Sequence, residues 1–387
     1  MARSSRTTAY VVAACAWALA AQTAHAQVQA PVTPTGGATV STPATLMASS
    51  PAKVARLACA RSCGTAGAVR PGSLLRLRGK TLSRADEVVF LGAEGAEDDV
   101  AVATSVRRKT SVDVRVPLGA APGPVAVVDR DGAQSAPSTG GVAVEPPAPA
   151  PGPSVQVAVR APRAYYDAAQ PAAASYVVHA PAPVAAGVDV VRVTDGAVVA
   201  HWDVPDVAPE TVQRVDWDGT AGGVPQADGT YAFRISVAGL APATAPFEFF
   251  NDRFPILGRV KFGTGVAGFG GGRNHQGEDT FAACGTPLVA AHGGKVKYAG
   301  YHSAAGNYLV IDNQDADTDY TYMHLRSAAL VKTGERVRTG QPIGFVGATG
   351  RATGCHLHFE IWTGPGWYTG GHPIDPLPTL KTWLSRG

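Results

Sequence analysis

The sequence predicts an all-β protein in which two β-sandwiches precede an antiparallel β-domain. Glycine (45) and proline (30) are plentiful and charged residues make up only 16%, a balance typical of short strands joined by tight turns. Short apolar runs, many of them alternating, recur along most of the chain, and Gly or Pro stands at most joins. The length of 387 residues exceeds what one hydrophobic core usually organises, so two or three domains are expected.

Residues 1–26 are predicted to be a cleaved export signal. Two arginines precede an apolar run over residues 10–21, and Ala24-His25-Ala26 has the small-x-small pattern of a cleavage site. The alternative is a lipoprotein leader lipidated at Cys15, although the apolar run continues beyond that cysteine. This run is too short to span a bilayer and no later segment is longer, so no transmembrane segment is expected. We therefore expect a secreted, periplasmic or cell-wall-associated protein.

The net charge argues against a nucleic-acid partner. The formal charge is +3, and removal of Arg3 and Arg6 with the leader reduces it to +1. A nucleic-acid footprint needs a strong basic excess or a clustered patch.

Residues 27–56 are rich in Thr, Pro, Ala and Ser and are predicted to form a flexible mature N-terminus. The following stretch, 57–144, alternates short apolar strands with turns, which predicts a β-sandwich. It resembles the IPT/TIG immunoglobulin-like module through Pro71 to Gly79, and through Val116-Pro117 ahead of Gly123-Pro124. Residues 145–154 form a Pro-rich linker.

A second all-β unit is predicted over 155–247. Its Trp217-Asp-Gly turn leads to Gly229-Thr-Tyr231, which resembles the immunoglobulin-like domain of flagellar hook-capping proteins. We interpret the pair as a hairpin with one buried aromatic on each arm. Both N-terminal units are expected to act as spacers or to position the third domain.

The third domain is predicted over 254–385. Its apolar runs read as strands of an antiparallel sheet, and residues 377–384 alone favour a short helix. This domain carries the histidines that indicate a function. His275 and Asp279 are four residues apart, His324 ends an apolar-aromatic run, and His356 and His358 alternate along one strand. Two imidazoles and a carboxylate leave a zinc ion one open position for water, as hydrolysis requires.

Several stretches of this domain resemble, in order, the lysostaphin-type (LytM-type) zinc metallopeptidases of bacterial peptidoglycan. They include His275-Gln-Gly-Glu-Asp279, Cys284 to Ala290, Tyr322-Met-His324 and His356-Leu-His358-Phe-Glu360. The resemblance implies zinc ligands at His275, Asp279 and His358, with His324 and His356 as catalytic histidines. It implies peptidoglycan as substrate and partner.

Strand alternation adds expectations about the neighbouring residues. It puts Tyr320, Tyr322 and His324 on one face, and it puts His356 beside ligand His358. A histidine near its normal pKa can take a proton from water and return it to the leaving amine, and the base is not decided between His324 and His356. Arg273, Asn307 and Tyr322 are candidate substrate contacts.

Four cysteines remain after the leader, an even number suited to an oxidising compartment. We pair Cys59 with Cys63 and Cys284 with Cys355, although other connectivities are allowed. The rival role of Cys355 as a metal ligand is disfavoured because it points away from the face of His356 and His358.

Two alternatives to a peptidoglycan hydrolase stay open. One is a non-catalytic wall-binding or hydrolase-regulating protein on the same fold, which the filled ligand positions disfavour. The other is a biotinyl or lipoyl carrier domain, suggested by the spacing of Gly334 and Gly340, for which the expected lysine is missing.

Overall fold

The computed structural model describes residues 52–92, 95, 98–147, 150, 152–272, 274–313 and 316–386. The predicted leader, Cys15 and residues 27–51 lie outside these ranges. The described chain is all-β, as predicted, with one α-helix near its C-terminal end and short 3-10 turns elsewhere. A membrane-spanning helix is not found within these ranges.

The first part of the fold, here called the N-terminal sandwich, consists of two sheets around one core. Its strands are β1 (Lys53–Arg61), β2 (Leu74–Lys80), β3 (Ala85–Phe90), β4 (Val100–Ala103), β5 (Val106–Arg108), β6 (Ser111–Arg115), β7 (Gly123–Asp129) and β8 (Gly141–Val142). The sheet orders are β1-β2-β6-β5 and β4-β3-β7-β8. Because successive residues point to opposite faces, Leu75 and Leu77 of one sheet meet Val88 and Phe90 of the other. Strand β1 begins before the predicted start at residue 57, since Val54 already belongs to this core.

The central sandwich follows. Its strands are β9 (Ser154–Val159), β10 (Arg163–Tyr165), β11 (Ala172–His179), β12 (Val184–Arg192), β13 (Val198–Val207), β14 (Gln213–Trp217), β15 (Thr220–Ala221), β16 (Val224–Pro225), β17 (Gly229–Val237) and β18 (Ala243–Phe250). One sheet has the order β10-β18-β17-β12-β13 and the other β14-β11-β9. The likeness of the two sandwiches to IPT/TIG and hook-capping modules stays a prediction.

The expected hairpin between Trp217 and Tyr231 is wrong. Strand β14 pairs with β11, whereas β17 pairs with β12 and β18, so the two aromatics lie on opposite sheets. The chain changes sheets at a turn in which Asp218 accepts hydrogen bonds from the backbone and hydroxyl of Thr220. The rings then pack across the core with centroids 5.1 Å apart.

The central sandwich contacts both of its neighbours. Arg163 forms an ion pair with Glu87 of the N-terminal sandwich (Nη1 to Oε1, 2.7 Å). On the other side, Asp167 accepts from Arg336 (2.9 Å), and the Arg253 guanidinium lies 5.1 Å from the ring centroid of Tyr165. The sandwich therefore connects the first sheets to the last domain.

The C-terminal domain is built on one large antiparallel sheet. Its strands are β19 (Lys261–Phe262), β20 (Glu278–Phe281), β21 (Pro287–Val289), β22 (Gly294–His302), β23 (Gly306–Asn313), β24 (Thr318–Leu325), β25 (Arg336–Val337), β26 (Pro342–Phe345), β27 (His356–Thr363) and β28 (Pro373–Ile374). The main sheet runs β19-β20-β27-β24-β23-β22-β25, with β28 beside β27, while β21 pairs with β26. Strands β20, β27 and β24 are neighbours, which brings the histidine-bearing segments together.

The helix α1 (Leu377–Arg386) closes the core on one side of this sheet. It begins where Asp375 accepts a hydrogen bond from the Leu377 N–H (2.9 Å), and Pro378 suits its first turn. Leu380 and Trp383 are its buried residues, and the Trp383 ring packs 6.1 Å from that of Phe359 on β27. Burying a side chain of this size contributes about 2–3 kcal/mol, so α1 anchors the back of the strand that carries His356 and His358.

Candidate metal centre

Strand β27 is buried on both faces, and its two faces carry different chemistry. Leu357, Phe359 and Ile361 point into the hydrophobic core. The intervening residues therefore share the opposite face, and they are His356, His358, Glu360 and Trp362. Residues directly opposite each other on paired strands lie on the same face. Asp279 of β20 is opposite His358, which brings its carboxylate beside the imidazole.

Three side chains converge at this point. Asp279 Oδ1 lies 3.1 Å from His275 Nε2 and 2.9 Å from His358 Nδ1. One ligand atom from each residue lies within 4.8 Å of the others. Strand pairing positions Asp279 and His358, whereas His275 lies in the loop before β20.

Hydrogen bonds orient both imidazoles toward the shared carboxylate. A carbonyl oxygen only accepts, so His275 Nδ1 must donate to Gly268 O (3.0 Å), which directs Nε2 to the centre. His358 Nε2 likewise bonds Glu360 Oε1 (3.0 Å), which directs Nδ1 to the centre. Two imidazole nitrogens and a carboxylate oxygen then converge at one point, where they could coordinate a cation. This donor set fits a zinc ion.

Electrostatics around the centre favour positive charge. Burial alone would raise the pKa of Asp279, but its hydrogen bonds with His275 and His358 hold that pKa well below the usual range. Burial would lower the pKa of His358, yet hydrogen bonds with Asp279 and Glu360 raise it to about 9. The pocket between the two carboxylates therefore stabilises a cation.

Glu360 is a residue of this site for which the sequence predicts no role. It is buried, and its second oxygen accepts a hydrogen bond from Trp362 Nε1 (2.7 Å). The carboxylate is thus held between Trp362 and His358. The sequence does contain a signal for this position. Glu360 is two residues from His358, so alternation along β27 places both side chains on the same face.

The two further histidines lie next to the three ligand candidates. The rings of His324 and His356 are 4.8 Å apart, and His356 Nε2 is 3.4 Å from Asp279 Oδ1. His324 Nδ1 donates to Thr349 O and His356 Nδ1 to Gly354 O, both at 2.8 Å. In the neutral form, each ring therefore keeps an unprotonated Nε2. Burial lowers the pKa of His324 to about 4 and keeps it neutral.

The predicted alternation at the end of β24 is wrong. His324 has a left-handed backbone (φ 61°), and the register jumps from the Leu309–Tyr322 pair to the Asn307–Leu325 pair. Three steps along β24 thus match two along β23, a β-bulge. Tyr320, Tyr322 and Leu325 consequently face the core, and His324 leaves their face to approach His356.

The three candidate substrate contacts fare differently. Arg273 lies outside the described residues. Tyr322 is completely buried and its hydroxyl accepts a hydrogen bond from the Ala291 N–H (2.9 Å), so it packs in the core instead of lining a cleft. Asn307 donates from Nδ2 to Leu325 O (3.2 Å), which supports the bulge at His324.

Both predicted disulfides are present. Cys284 bonds Cys355 and Cys59 bonds Cys63. The first ties the loop after β20 to the residue before His356. Cys355 is therefore engaged with sulfur and is not a metal ligand.

The fold and the site together define an antiparallel β-domain carrying a centre of two histidines and one carboxylate. Residues 273–376 match the family described as Peptidase family M23. The C-terminal part of the chain is accordingly a peptidase M23 domain of the lysostaphin (LytM) type.

Relatives resemble the chain over this domain. Peptidoglycan DD-endopeptidase ShyC of Vibrio cholerae is 43% identical over 115 residues, which are 29% of this chain and 23% of the relative. Glycyl-glycine endopeptidase ALE-1 of Staphylococcus capitis is 39% identical over 122 residues, 31% of this chain and 33% of the relative. The matched region therefore spans only 23% to 33% of the length of these relatives.

Among solved structures, the catalytic domain of lysostaphin from Staphylococcus simulans is 36% identical. The match covers 32% of this chain and 92% of that one, with a TM-score of 0.28.

Proposed function

We propose that the protein is a zinc-dependent endopeptidase that hydrolyses peptide bonds in bacterial peptidoglycan. The observation that carries the proposal is the convergence of His275, Asp279 and His358, which each place one ligand atom within 4.8 Å of those of the other two. Support comes from the M23 domain and from relatives named as peptidoglycan and glycyl-glycine endopeptidases.

In this proposal His275, Asp279 and His358 hold the metal. When bound, a zinc ion supplies Lewis acidity, which polarises a carbonyl and makes water nucleophilic near neutral pH. Glu360 keeps His358 in the orientation that presents Nδ1, because it accepts the hydrogen bond of Nε2. The Gly268 carbonyl does the same for His275.

His324 and His356 are proposed to move the proton. Their Nδ1 atoms are committed to carbonyl oxygens, so each can accept a proton only at Nε2. That proton can then pass to the amine of the leaving peptide, which completes general base and general acid catalysis. The bulge at His324 is what brings its ring beside His356.

The proposal includes a location. Peptidoglycan lies outside the cytoplasm, which agrees with the export signal expected over residues 1–26. The substrate bond, a stem-peptide amide or a cross-link, is the finer point that product analysis must assign.

The test is digestion of purified cell-wall sacculi by the mature protein, residues 27–387. Soluble muropeptides should appear, should vanish after chelator treatment, and should return when zinc is restored. Mass spectrometry of the fragments identifies the bond. Digestion that resists the chelator contradicts the zinc mechanism. Binding to sacculi without any release, at full zinc occupancy, supports a non-catalytic wall-binding protein instead.

A further inference from the structure

The outer face of the sheet β1-β2-β6-β5 in the N-terminal sandwich is crowded with cations. These strands hold nine of the chain's 33 Lys and Arg residues but only one of its 30 Asp and Glu residues. Leu75, Leu77, Val112 and Val114 fill the core, so the alternate residues of β2 and β6 point outward. Arg107 is the exception, because it lies opposite the core residue Val112 and pairs with Asp86 of the other sheet. The remaining cations are concentrated on one face, although the whole chain is nearly balanced. We call this surface the cationic face.

The pairing register shows how closely the charges lie. Arg56 is directly opposite Arg78, and Lys53 is directly opposite Lys80. Arg78 in turn pairs with Ser111, which pairs with Arg108. Directly opposite side chains begin about 5 Å apart. Like charges in such positions destabilise a sheet, so folding alone does not account for this arrangement.

The carboxylate on this face does not neutralise it. Asp113 accepts two hydrogen bonds from Arg76 (2.6 and 2.8 Å) and one from Arg108 (3.2 Å), and is buried beneath them. Among the described residues, Arg56, Arg78 and Lys80 have no ion-pair partner, and all three are exposed. The preceding residues 27–52 contain no Asp or Glu that could pair with them.

We infer that the cationic face binds a linear envelope polymer with closely spaced phosphate groups. Guanidinium groups bind phosphate oxygens in a forked geometry, and a row of them suits anions repeated along a chain. The outward positions of these strands carry no aromatic side chain, so stacking on sugar rings is not the means of recognition. Val106 is the exposed large apolar side chain here, too little for insertion into a lipid surface. This binding goes beyond the hydrolase and would hold the protein in the wall.

The test uses the mature protein and long-chain inorganic polyphosphate as the probe. The test variant is Arg56→Gln/Arg78→Gln/Lys80→Gln. The matched control, Lys295→Gln/Lys332→Gln/Lys381→Gln, removes the same number of exposed positive charges from the C-terminal domain. We expect the Kd for polyphosphate to rise about tenfold or more in the test variant and less than about twofold in the control. The slope of log Kd against log salt should fall by about 2–3, since three charges are removed and each neutralised phosphate contributes about 0.7–0.9.

Folding is followed in the same samples. Removing like charges should leave the melting temperature unchanged or higher, and Arg78→Gln alone serves if the triple variant is unstable. Equal weakening in test and control variants would overturn the inference. Face-dependent binding that is as tight for polyglutamate, or for vesicles of anionic phospholipid, as for polyphosphate would also overturn it. A clustered basic patch also suits nucleic acid, so tighter binding to duplex DNA than to polyphosphate would overturn the inference as well. Hydrolysis of a soluble peptide substrate should stay unchanged, which separates this result from the proposed function.

Discussion

The N-terminal sandwich and the C-terminal domain treat charged side chains in opposite ways. In the first, apolar residues point inward and cations point to water, as on the face of Arg56 and Arg78. In the second, β27 buries His358 and Glu360 on the face opposite Phe359. Burial removes water from such groups, so their positions and pKa values depend on protein partners. The exposed cations face solvent, whereas the buried set has the fixed geometry that coordination needs.

Carboxylates illustrate the same contrast. Glu278 next to the metal centre is completely buried, and burial raises its pKa to about 7. Asp113 under the cationic face is also shielded, but its hydrogen bond with Arg76 lowers its pKa. A buried acid therefore becomes easier or harder to protonate according to whether a cation faces it.

The largest expected effect on activity comes from removing one of the buried metal ligands. His358→Ala removes one of the three proposed ligands and leaves Asp279 and Glu360 without a partner between them. Release of muropeptides should fall at least about a thousandfold, because catalysis by the proposed mechanism requires the bound metal. Zinc content measured after gel filtration should fall with it. The Arg56/Arg78/Lys80 variant is the control, since it should keep its metal and its rate on a soluble substrate. An active, zinc-free His358→Ala protein would contradict the ligand assignment.

A smaller effect is expected when the hydrogen-bond partner that orients a metal ligand is removed. Glu360→Leu deprives His358 Nε2 of its acceptor, so zinc affinity should fall by about 10–100-fold, as is usual for outer-shell partners. Glu360→Gln retains an acceptor oxygen and should lose less. Competition with a chromogenic chelator measures both without reference to turnover. Trp362→Phe removes the hydrogen bond on the other side of Glu360 and should lower zinc affinity less than Glu360→Leu, because the carboxylate still faces His358. Equal affinity in the Leu and Gln variants would show that the hydrogen bond does not orient the ligand.

Strand alternation and motif order together predict much of this domain. The alternation of Leu357, Phe359 and Ile361 with His356 and His358 is visible in the sequence, and it gives the shared face of the two histidines. The four-residue spacing of His275 and Asp279 indicates nearby side chains without giving the loop that turns His275 inward. Local residue spacing is therefore sufficient to predict the face of a side chain where the chain forms a regular strand.

The sequence fails where the backbone departs from regular alternation. The left-handed residue at His324 reverses the face expected for the end of β24, and no local residue type signals it. Trp217 and Tyr231 have hairpin-like spacing, but their strands join different sheets, which depends on long-range pairing. Tyr322 looks like a cleft residue because it is two positions from His324, and the same bulge keeps it in the core.

The two disulfides are expected to stabilise their domains by different amounts, because they close chain loops of different length. Cys284–Cys355 joins residues 71 positions apart, and Cys59–Cys63 joins residues 4 apart. Loop-closure entropy gives about 4 kcal/mol for the long loop and about 2 kcal/mol for the short one. Cys284→Ala/Cys355→Ala should therefore destabilise its domain more than Cys59→Ala/Cys63→Ala destabilises the N-terminal sandwich. Hydrogen exchange read peptide by peptide reports each domain separately. An equal loss in both regions would mean that loop length does not set the stabilisation.

The smallest effect is expected for Asp113, the buried carboxylate of the exposed region. Asp113→Asn leaves Arg76 and Arg108 without their counterion and should cost about 1 kcal/mol, since both guanidiniums still reach water. The folded-state pKa of Asp113 lies below its unfolded value, so this stabilisation is complete above about pH 4 and fades as pH falls through the folded pKa.

Hydrogen exchange of the β2 and β6 peptides, corrected for the intrinsic rate at each pH, should show the variant less stable than wild type at pH 7 and equally stable in strong acid. A difference that persists in acid would assign the effect to packing instead of charge. Asp113 would then contribute through packing, and the two regions would differ only in how exposed their charged side chains are.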